Sequence, residues 1–286
     1  MTQFKEDLKR YAKSIGIDLI GFSSKKRYKD AKKGENPFEI FPEGKTVILL
    51  GKRITRGALR GIEEGTNFTD YSFFGSSWLD NNANSLMCYD LTRYLEDRGY
   101  EAVPIYPNPT ESKGMGVSVD GEKAAPNVTP DFAYAVAACG LGEIGYCGEI
   151  LTPEFGPRQR WQMIITDAEI EEDPILEDSI CTHCEKCAKV CPLGAISGSR
   201  IIEVCRKQME TGIIDHSLCK KCKNGAFPNR LMSEAKPDRI AALCVRTCMN
   251  ELEKNKKIKN TFEKPFRKRR PWAIDIFDKS IDIKEE

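Results

Sequence analysis

Cys181-Thr-His-Cys184-Glu-Lys-Cys187-Ala-Lys-Val-Cys191-Pro192 is the stretch from which the fold of this chain is read. Its C-x2-C-x2-C-x3-C-P spacing sets three thiolates around one cube of iron and sulfide and sends the fourth to a neighbouring cube. Structural zinc usually parts its two cysteine pairs by a longer loop, so four thiols this close, with a proline after them, fit zinc poorly. A fourth cysteine that serves another cube requires that cube, and the motif therefore predicts two [4Fe–4S] clusters. Cys205 and the pair in Cys219-Lys-Lys-Cys222 are placed to complete the second, giving Cys191, Cys205, Cys219 and Cys222 as its ligands. A regular repeat would return a cysteine to the first cube four residues after Cys222, but Ala226 stands there. The nearest unused thiols are in Cys244-Val-Arg-Thr-Cys248, and Cys248 is preferred over Cys244. An open iron site or a non-cysteine ligand is the alternative. His183 and His216 are read as neighbours of the clusters rather than as iron ligands.

The rest of the composition bounds the setting. Nine of the twelve cysteines fall between Cys181 and Cys248, whereas a secreted disulfide protein would be small and would spread them. The crowding reads as metal binding in a reducing compartment. With 286 residues, 40% hydrophobic and 30% charged, the chain can bury a core and is not of disordered composition. Lys plus Arg (44) nearly cancels Asp plus Glu (43), which argues against a dedicated tRNA or DNA binder. No apolar run approaches the roughly 18 residues of a membrane span. The opening MTQFKEDLKRYAKS has neither a twin arginine nor an apolar signal core, so a cytoplasmic location is expected.

Upstream of the clusters, periodicity predicts an amphipathic helix through Phe4, Leu8, Tyr11 and Ile15, with Thr2 as its cap and Gly16 as its stop. Short strands follow at Ile17–Phe22 and Thr46–Leu50. A helix over 82–98 carries a stripe of Leu86, Leu91, Tyr94 and Leu95. A strand at Ala102–Tyr106, a loop rich in Pro and Gly, a helix at Phe132–Cys139 and a strand at Trp161–Thr166 complete the region. Helices alternating with single strands predict a three-layer α/β (α+β) domain over residues 1–172. The acidic run Ala168–Pro174 reads as a linker to a ferredoxin-like domain over 173–250. Residues 251–286 read as a charged tail, with the basic run 264–270 solvated or free to dock.

Gly140-Leu-Gly-Glu-Ile-Gly-Tyr-Cys-Gly148, followed by Leu151-Thr-Pro-Glu-Phe-Gly-Pro-Arg-Gln-Arg160, is the second concentrated signal. Gly140, Gly142, Gly145 and Gly148, with Thr152, Phe155 and Gly156, either make a tight turn between core elements or line a flat cofactor. They do not match a dinucleotide fingerprint. This stretch (134–167), joined to CTHCEKCAKVCPLGAI (181–196), resembles the cobalamin-dependent reductive dehalogenases and epoxyqueuosine reductases. IGIDLIGF (15–22) and YDLTRYLEDRGYEAVPI (89–105) are similar to that family too.

The resemblance implies a nitroreductase-like domain holding a cobalamin, fed with electrons by two [4Fe–4S] clusters, with FMN or no further cofactor as the alternative. It implies an external low-potential donor such as ferredoxin or flavodoxin, a small-molecule substrate, and a chain that acts alone or as a homodimer. A non-enzymatic electron carrier or activator of a partner is the contrasting expectation. The acidic proton donor of epoxyqueuosine reductases maps near Pro126, with Asp120 and Asp131 out of register. Their tRNA-binding extension has no counterpart after Cys248, so a nucleoside substrate is not expected. Dehalogenases use a tyrosine beside a cation, which makes Tyr71, Tyr106 and Tyr146 candidate donors and Arg158 their candidate partner.

Overall fold

The computed structural model describes residues 2–107, 117, 128–229 and 235–283. The first helix, α1 (Gln3–Ser14), buries Leu8 and Ala12 on one face. Thr2 occupies the cap position without a side-chain bond, and Gly16 at φ +93° ends the turn. β1 (Leu19–Ser24) begins two residues after the start of the expected run, and β2 (Thr46–Arg53) extends past its expected end. A short helix, α2 (Arg60–Glu63), precedes two π-helical segments, Tyr71–Ser77 and Leu79–Asn84, which run directly into α3 (Ser85–Glu96). β3 (Ala102–Ile105), α4 (Phe132–Ala138), the small pair β4 (Glu143–Ile144) and β5 (Ile150–Leu151), and β6 (Gln159–Thr166) follow.

β1, β2, β6 and β3 form one sheet in that order, each pair antiparallel. Successive side chains on a strand point to opposite faces, and both faces here are covered. Ile48, Leu50 and Ile164 pack with Leu8 of α1 and with Leu91 and Leu95 of α3. Val47, Leu49, Met163 and Ile165 pack with Ala135 and Val136 of α4. This is the three-layer arrangement the pattern predicts. Leu86 departs from its expected place: it is 63% exposed, and the inward face of α3 runs through Met87, Cys88, Leu91 and Leu95. Five residues before Leu91 is about 140° round a helix, so the two leucines cannot share a face. The acidic run expected as a linker is a strap. Ala168 and Ile170 are buried, Lys5 donates to the Glu171 carbonyl at 2.6 Å, and the Asp173 carboxylate accepts from Phe22 N–H at 3.0 Å.

The cysteine-rich region contains α5 (Lys186–Lys189), a long hairpin of β7 (Ile196–Val204) and β8 (Lys207–Ile214), α6 (His216–Lys220) and α7 (Leu243–Lys254). The residues after α7 turn back over the first domain rather than into solvent. Phe266 and Arg267 are buried, while Lys268, Arg269 and Arg270 of the same basic run stay exposed. Trp272 donates its indole N–H to the Ile62 carbonyl at 2.8 Å. Glu63, itself buried, meets Arg246 Nε at 2.8 Å and Arg267 Nε at 2.7 Å, so one carboxylate compensates two buried guanidiniums. No helix among the described residues is long and apolar enough to cross a membrane.

Removing one partner of such a buried set leaves uncompensated charge, which costs about 3–5 kcal/mol. Glu63→Gln is expected to lower the unfolding free energy from anaerobic urea titration by that amount, with a lower midpoint, and to expose the 255–283 segment to limited proteolysis. An unchanged midpoint would show that the returning segment is held by other contacts.

Candidate metal centre and adjoining cavity

His183 and Glu185 adopt φ of +49° and +57°, a region non-glycine residues seldom enter. The loop is thereby wound tightly ahead of α5, which packs against α7. Cys181, Cys184 and Cys187 from this loop and helix line one small cavity with Cys248 of α7 and Cys147 of the β4–β5 turn. The thiols of Cys147 and Cys248 are neighbours in this cavity. Tyr146 N–H points at Cys181 Sγ, 3.4 Å away. Glu143 fixes the loop from below: its Oε1 accepts from Ile180 N–H at 2.8 Å and Cys181 N–H at 2.7 Å, and its Oε2 meets Lys207 Nζ at 3.1 Å.

A second group lies beside the first. The Cys219 thiol lies near those of Cys191 and Cys222, and the Cys244 thiol lies near the same two and also near Cys147 and Cys187 of the first group. Backbone N–H groups again point at sulfur, from Ala195 to Cys191 at 3.3 Å and from Asn224 to Cys222 at 3.4 Å. Burial pushes the thiols of Cys187 and Cys244 up. Thiolates gathered here therefore need a positive centre, and both groups fit iron–sulfur cubes on donor type, number and N–H···S contacts. Among the described residues, no three His, Cys, Asp or Glu side chains converge as ligands of a single ion would. A cube instead spreads its thiolates over four irons.

Cys205 is not in this second group, contrary to expectation, and Cys244 takes its place. β7 and β8 pair from Ile196↔Ile214 at the base to Val204↔Lys207 at the tip, and Cys205 sits in the tip turn. At about 3.3 Å per residue the turn is roughly 25 Å from the base, where Cys191 and Cys219 are held. The Cys205 thiol instead lies 3.6 Å from the Arg27 carbonyl. Cys244 is brought in because the chain leaves after Cys222, makes an excursion closed by paired bonds between Phe227 and Asp238 (2.8 and 2.9 Å), and returns into α7. The gap at Ala226 is thus an interruption of the second motif. His183 is partly exposed 3.7 Å from Glu210, and His216 is lowered to about 4 by burial and nearby Arg239.

The excursion delivers Asp238 and Arg239 to the first domain. Tyr71, fully buried in the first π-helical segment, donates to the Asp238 carboxylate (2.9 Å to Oδ2) and accepts from Arg160 Nη2 at 2.9 Å. Arg160, on β6, also bonds Asp238 through Nη2 and donates from Nε to the Gly75 carbonyl at 2.8 Å. Only glycine fits at 75, since a Cβ there would stand 2.3 Å from the Tyr71 ring. Asp80, in the second π-helical segment, lies 3.6 Å from Arg160 Nε, is 7% exposed, and its Oδ1 has no hydrogen-bond partner. Burial raises its carboxyl to about 6, against the lowering pull of Arg160. Burial also drives the Tyr71 hydroxyl well above its ordinary range. Asp80, Glu149, Arg160 and Ile240 are shared by two adjoining cavities of about 240 and 180 Å³. Arg239 lines the larger one, with Nη1 unpartnered. Its Nη2 donates to the Cys147 carbonyl at 2.6 Å and to Glu149 at 2.8 Å, and the Cys244 and Cys219 thiols lie close by.

Of the tyrosines singled out from sequence, Tyr71 is in this network. Tyr106 donates to Asn81 at the cavity margin, and Tyr146 is spent on the Gly198 carbonyl at 3.0 Å. Arg158 is not the partner of any of them: it is buried, donating to the Ile54 carbonyl at 2.9 Å and to Asn260 at 2.7 Å. The cation in place is Arg160. Asp80 gave no sequence signal beyond an isolated acid, because a π-helical turn is not written in 3.6-residue periodicity. Pro126 and Asp120 lie outside the described residues, and Asp131 caps α4 by accepting from Ala133 and Tyr134 N–H.

The glycine signature serves the chain's own packing. A Cβ at Gly140 would stand 1.9 Å from the Pro174 oxygen, and one at Gly142 would stand 2.2 Å from that of Leu151. Gly145 and Gly148 abut Leu151 and Ile214 in the same way. Thr152, Phe155 and Gly156 close on one another, through Phe155 N–H to Thr152 Oγ1 at 3.2 Å and paired backbone bonds of 2.9 Å between 152 and 156. None of the seven lines the cavity at Arg160. Drug-sized ligands occupy roughly 300–1,000 Å³, and a corrin with its amide side chains is larger than such ligands. The two cavities suit a small organic molecule.

Glu143 offers a direct check on the first group. Glu143→Ala orphans two buried N–H groups, each costing about 1–3 kcal/mol, and strips Lys207 of its partner. The variant is expected to lose iron to a chelator at least tenfold faster than wild type, read by loss of visible absorbance. An equal rate would show that Glu143 does not hold the loop.

Three comparisons bear on this geometry. Residues 174–197 match the 4Fe-4S binding domain family. The chain is 28% identical over 225 residues to the epoxyqueuosine reductase of Bacillus cereus, covering 68% of this chain and 52% of that protein. It is 31% identical over 218 residues to the tetrachloroethene reductive dehalogenase of Dehalobacter restrictus, covering 66% of this chain and 38% of the other. The chain thus spans about half the length, or less, of these curated relatives. The structure of the catabolic reductive dehalogenase NpRdhA superposes over 98% of this chain and 41% of its own length, with a TM-score of 0.56 at 16% identity. The fold is therefore shared with that dehalogenase, and the sequence is similar to both groups of reductases and assigns the chain to neither one alone.

Proposed function

We propose that this chain is an iron–sulfur reductase in which two [4Fe–4S] cubes pass low-potential electrons to a small organic substrate held between Asp80, Arg160 and Arg239. The observation that carries this is a shared wall: Arg239 lies against the thiols of Cys219 and Cys244 and also lines the cavity. Cys181, Cys184, Cys187 and Cys248 hold the first cube, and Cys191, Cys219, Cys222 and Cys244 the second. Cys184 is exposed, which gives an external donor such as a ferredoxin or flavodoxin access to the first cube. Residues 1–172 then form the substrate domain and 173–250 the cluster domain, with 251–286 clamping the two.

Within the cavity, Arg160 and the unpartnered Nη1 of Arg239 attract an anionic or strongly polar substrate group. Protonated Asp80 supplies a proton to the reduced product. A carboxyl held near 6 is matched to donation close to neutral pH, where a good acid is still partly protonated. A second reading, a corrinoid standing between cubes and substrate, is favoured by the similarity to epoxyqueuosine reductases and tetrachloroethene dehalogenases. Cofactor extraction from anaerobically purified protein separates the two. The first expects iron and sulfide only, with reduced viologen consumed in the presence of a reducible organic compound; the second expects a bound corrinoid.

Two measurements test the assignment. Cys244→Ala is expected to fall from about eight irons per chain to about four, while Cys205→Ser keeps about eight, two cubes holding four irons each. Equal iron in both variants would overturn the ligand set. With reduced methyl viologen as donor and a panel of halogenated phenols, turnover should decline as pH rises through about 6, because Asp80 loses the proton it donates. Asp80→Asn should be slowed at least tenfold at pH 6 and lose that pH dependence. A wild-type profile flat across this range excludes Asp80 as the acid.

A further inference from the structure

Cys147 is the fifth thiol of the first group, beyond the ferredoxin run and the Cys248 that completes its cube. It lies in the glycine-rich turn, 34 positions ahead of the iron–sulfur run by the numbering of Cys147 and Cys181. A buried cysteine usually acts as a small apolar filler. Here, however, the side chain lines the same small cavity as Cys181, Cys184, Cys187 and Cys248. Its backbone is also fixed. Gly145 and Gly148 set the turn on either side, and the Cys147 carbonyl is held by Arg239 Nη2 at 2.6 Å. A cube takes one thiolate per iron, so four of these five thiols suffice.

We propose that Cys147 is an exchange ligand of the first cube, taking the iron otherwise held by Cys248. It rests on the cube assignment above. In the exchange the Fe–S bond to Cys248 breaks as that to Cys147 forms, and the proton of the Cys147 thiol passes to Cys248. No electron is gained or lost, and the cube keeps four thiolates throughout. The two thiols line one small cavity, so the path of that proton is short. Cys248 belongs to α7 of the cluster region, whereas Cys147 belongs to the turn whose neighbours Glu149 and Ile150 line the substrate cavity. The exchange therefore moves one ligand of the cube from the cluster side to the cavity side.

The test uses full-length protein reconstituted anaerobically with iron and sulfide, comparing wild type with Cys147→Ala, Cys248→Ala and the double variant. Each single variant is expected to retain about eight irons and the double variant about four. The reduced paramagnetic spectrum of Cys248→Ala should differ from wild type because a different thiolate is bound. Loss of half the iron in Cys248→Ala overturns the exchange, as does its loss in Cys147→Ala or its full retention in the double variant. Should Cys248→Ala fail to fold by circular dichroism, Cys248→Ser with and without Cys147→Ala gives the same comparison. A wild type with about four irons that falls to none only in the double variant would refute the two-cube assignment while upholding the exchange.

Discussion

Gly225 passes the carbonyl of Ala241 so closely that a Cβ on it would stand 2.2 Å from the oxygen, and its φ of +98° is one that other residues rarely adopt. Most of the arrangement depends on this crossing. It brings the start of α7 back beside Cys222, with Leu243 N–H bonded to the Asn224 carbonyl at 2.9 Å, so that Cys244 and Cys248 reach the two thiol groups. The same crossing closes the excursion that carries Asp238 to Tyr71 and Arg160. The buried Asn224 side chain then binds the 274 backbone in both directions at 2.8 Å, fastening the returning C-terminal segment to the cluster loop. A side chain at 225 would meet backbone rather than a movable neighbour, so there is no cheap relaxation.

Charge is the second constraint. Thiolates crowded into a buried space repel one another, and burial raises the thiols of Cys181, Cys187, Cys219 and Cys244. Iron bound in the proposed cubes would supply most of the compensation, backbone N–H groups at Cys181, Cys191 and Cys222 add to it, and Arg239 contributes a full charge between the groups. Burial opposes that charge, but Glu149 and the neighbouring thiols more than offset it and hold the guanidinium protonated. Arg160 is in the same position with respect to Asp238, Tyr71 and Asp80. The cavity wall therefore sets Arg160, Arg239 and Lys236 against Asp80, Glu149 and Asp238. This favours a polar guest and disfavours a neutral hydrocarbon.

The residues that wrote themselves into the sequence did so through short-range pattern. The spacing from Cys181 to Cys191 is local chemistry, and the alternation of Val47, Ile48, Leu49 and Leu50 predicts a strand buried on both faces. What could not be read depends on tertiary closure. Cys205 has the sequence position of a ligand, but a regular hairpin carries it away from the others. Cys244 has no regular spacing, because an excursion separates it from Cys222. Leu86 was assigned to a face on apolar character alone, and the angular count puts it outside. The glycines signalled close approach correctly but not what approaches: it is the chain's own backbone at Pro174 and Leu151. Arg158 and Arg160 are nearly indistinguishable in sequence, and only the fold shows that one anchors the C-terminal segment while the other faces the cavity.

The geometry also decides between the two acids at the cavity. The Tyr71 hydroxyl already gives its proton to Asp238, and burial puts it well above the ordinary value of about 10. Releasing that proton would leave a phenolate among Asp238 and Asp80, with Arg160 as the cation to offset all three. Asp80 has an unpartnered oxygen in the cavity wall, and its proton is held only weakly at neutral pH. A transfer from Asp80 creates a carboxylate beside Arg160, which stabilises it, whereas a transfer from Tyr71 creates a buried phenolate directly against the Asp238 carboxylate that now accepts its proton. In the proposed reduction, proton delivery therefore falls to Asp80, with Tyr71 and Asp238 holding Arg160 in place against it.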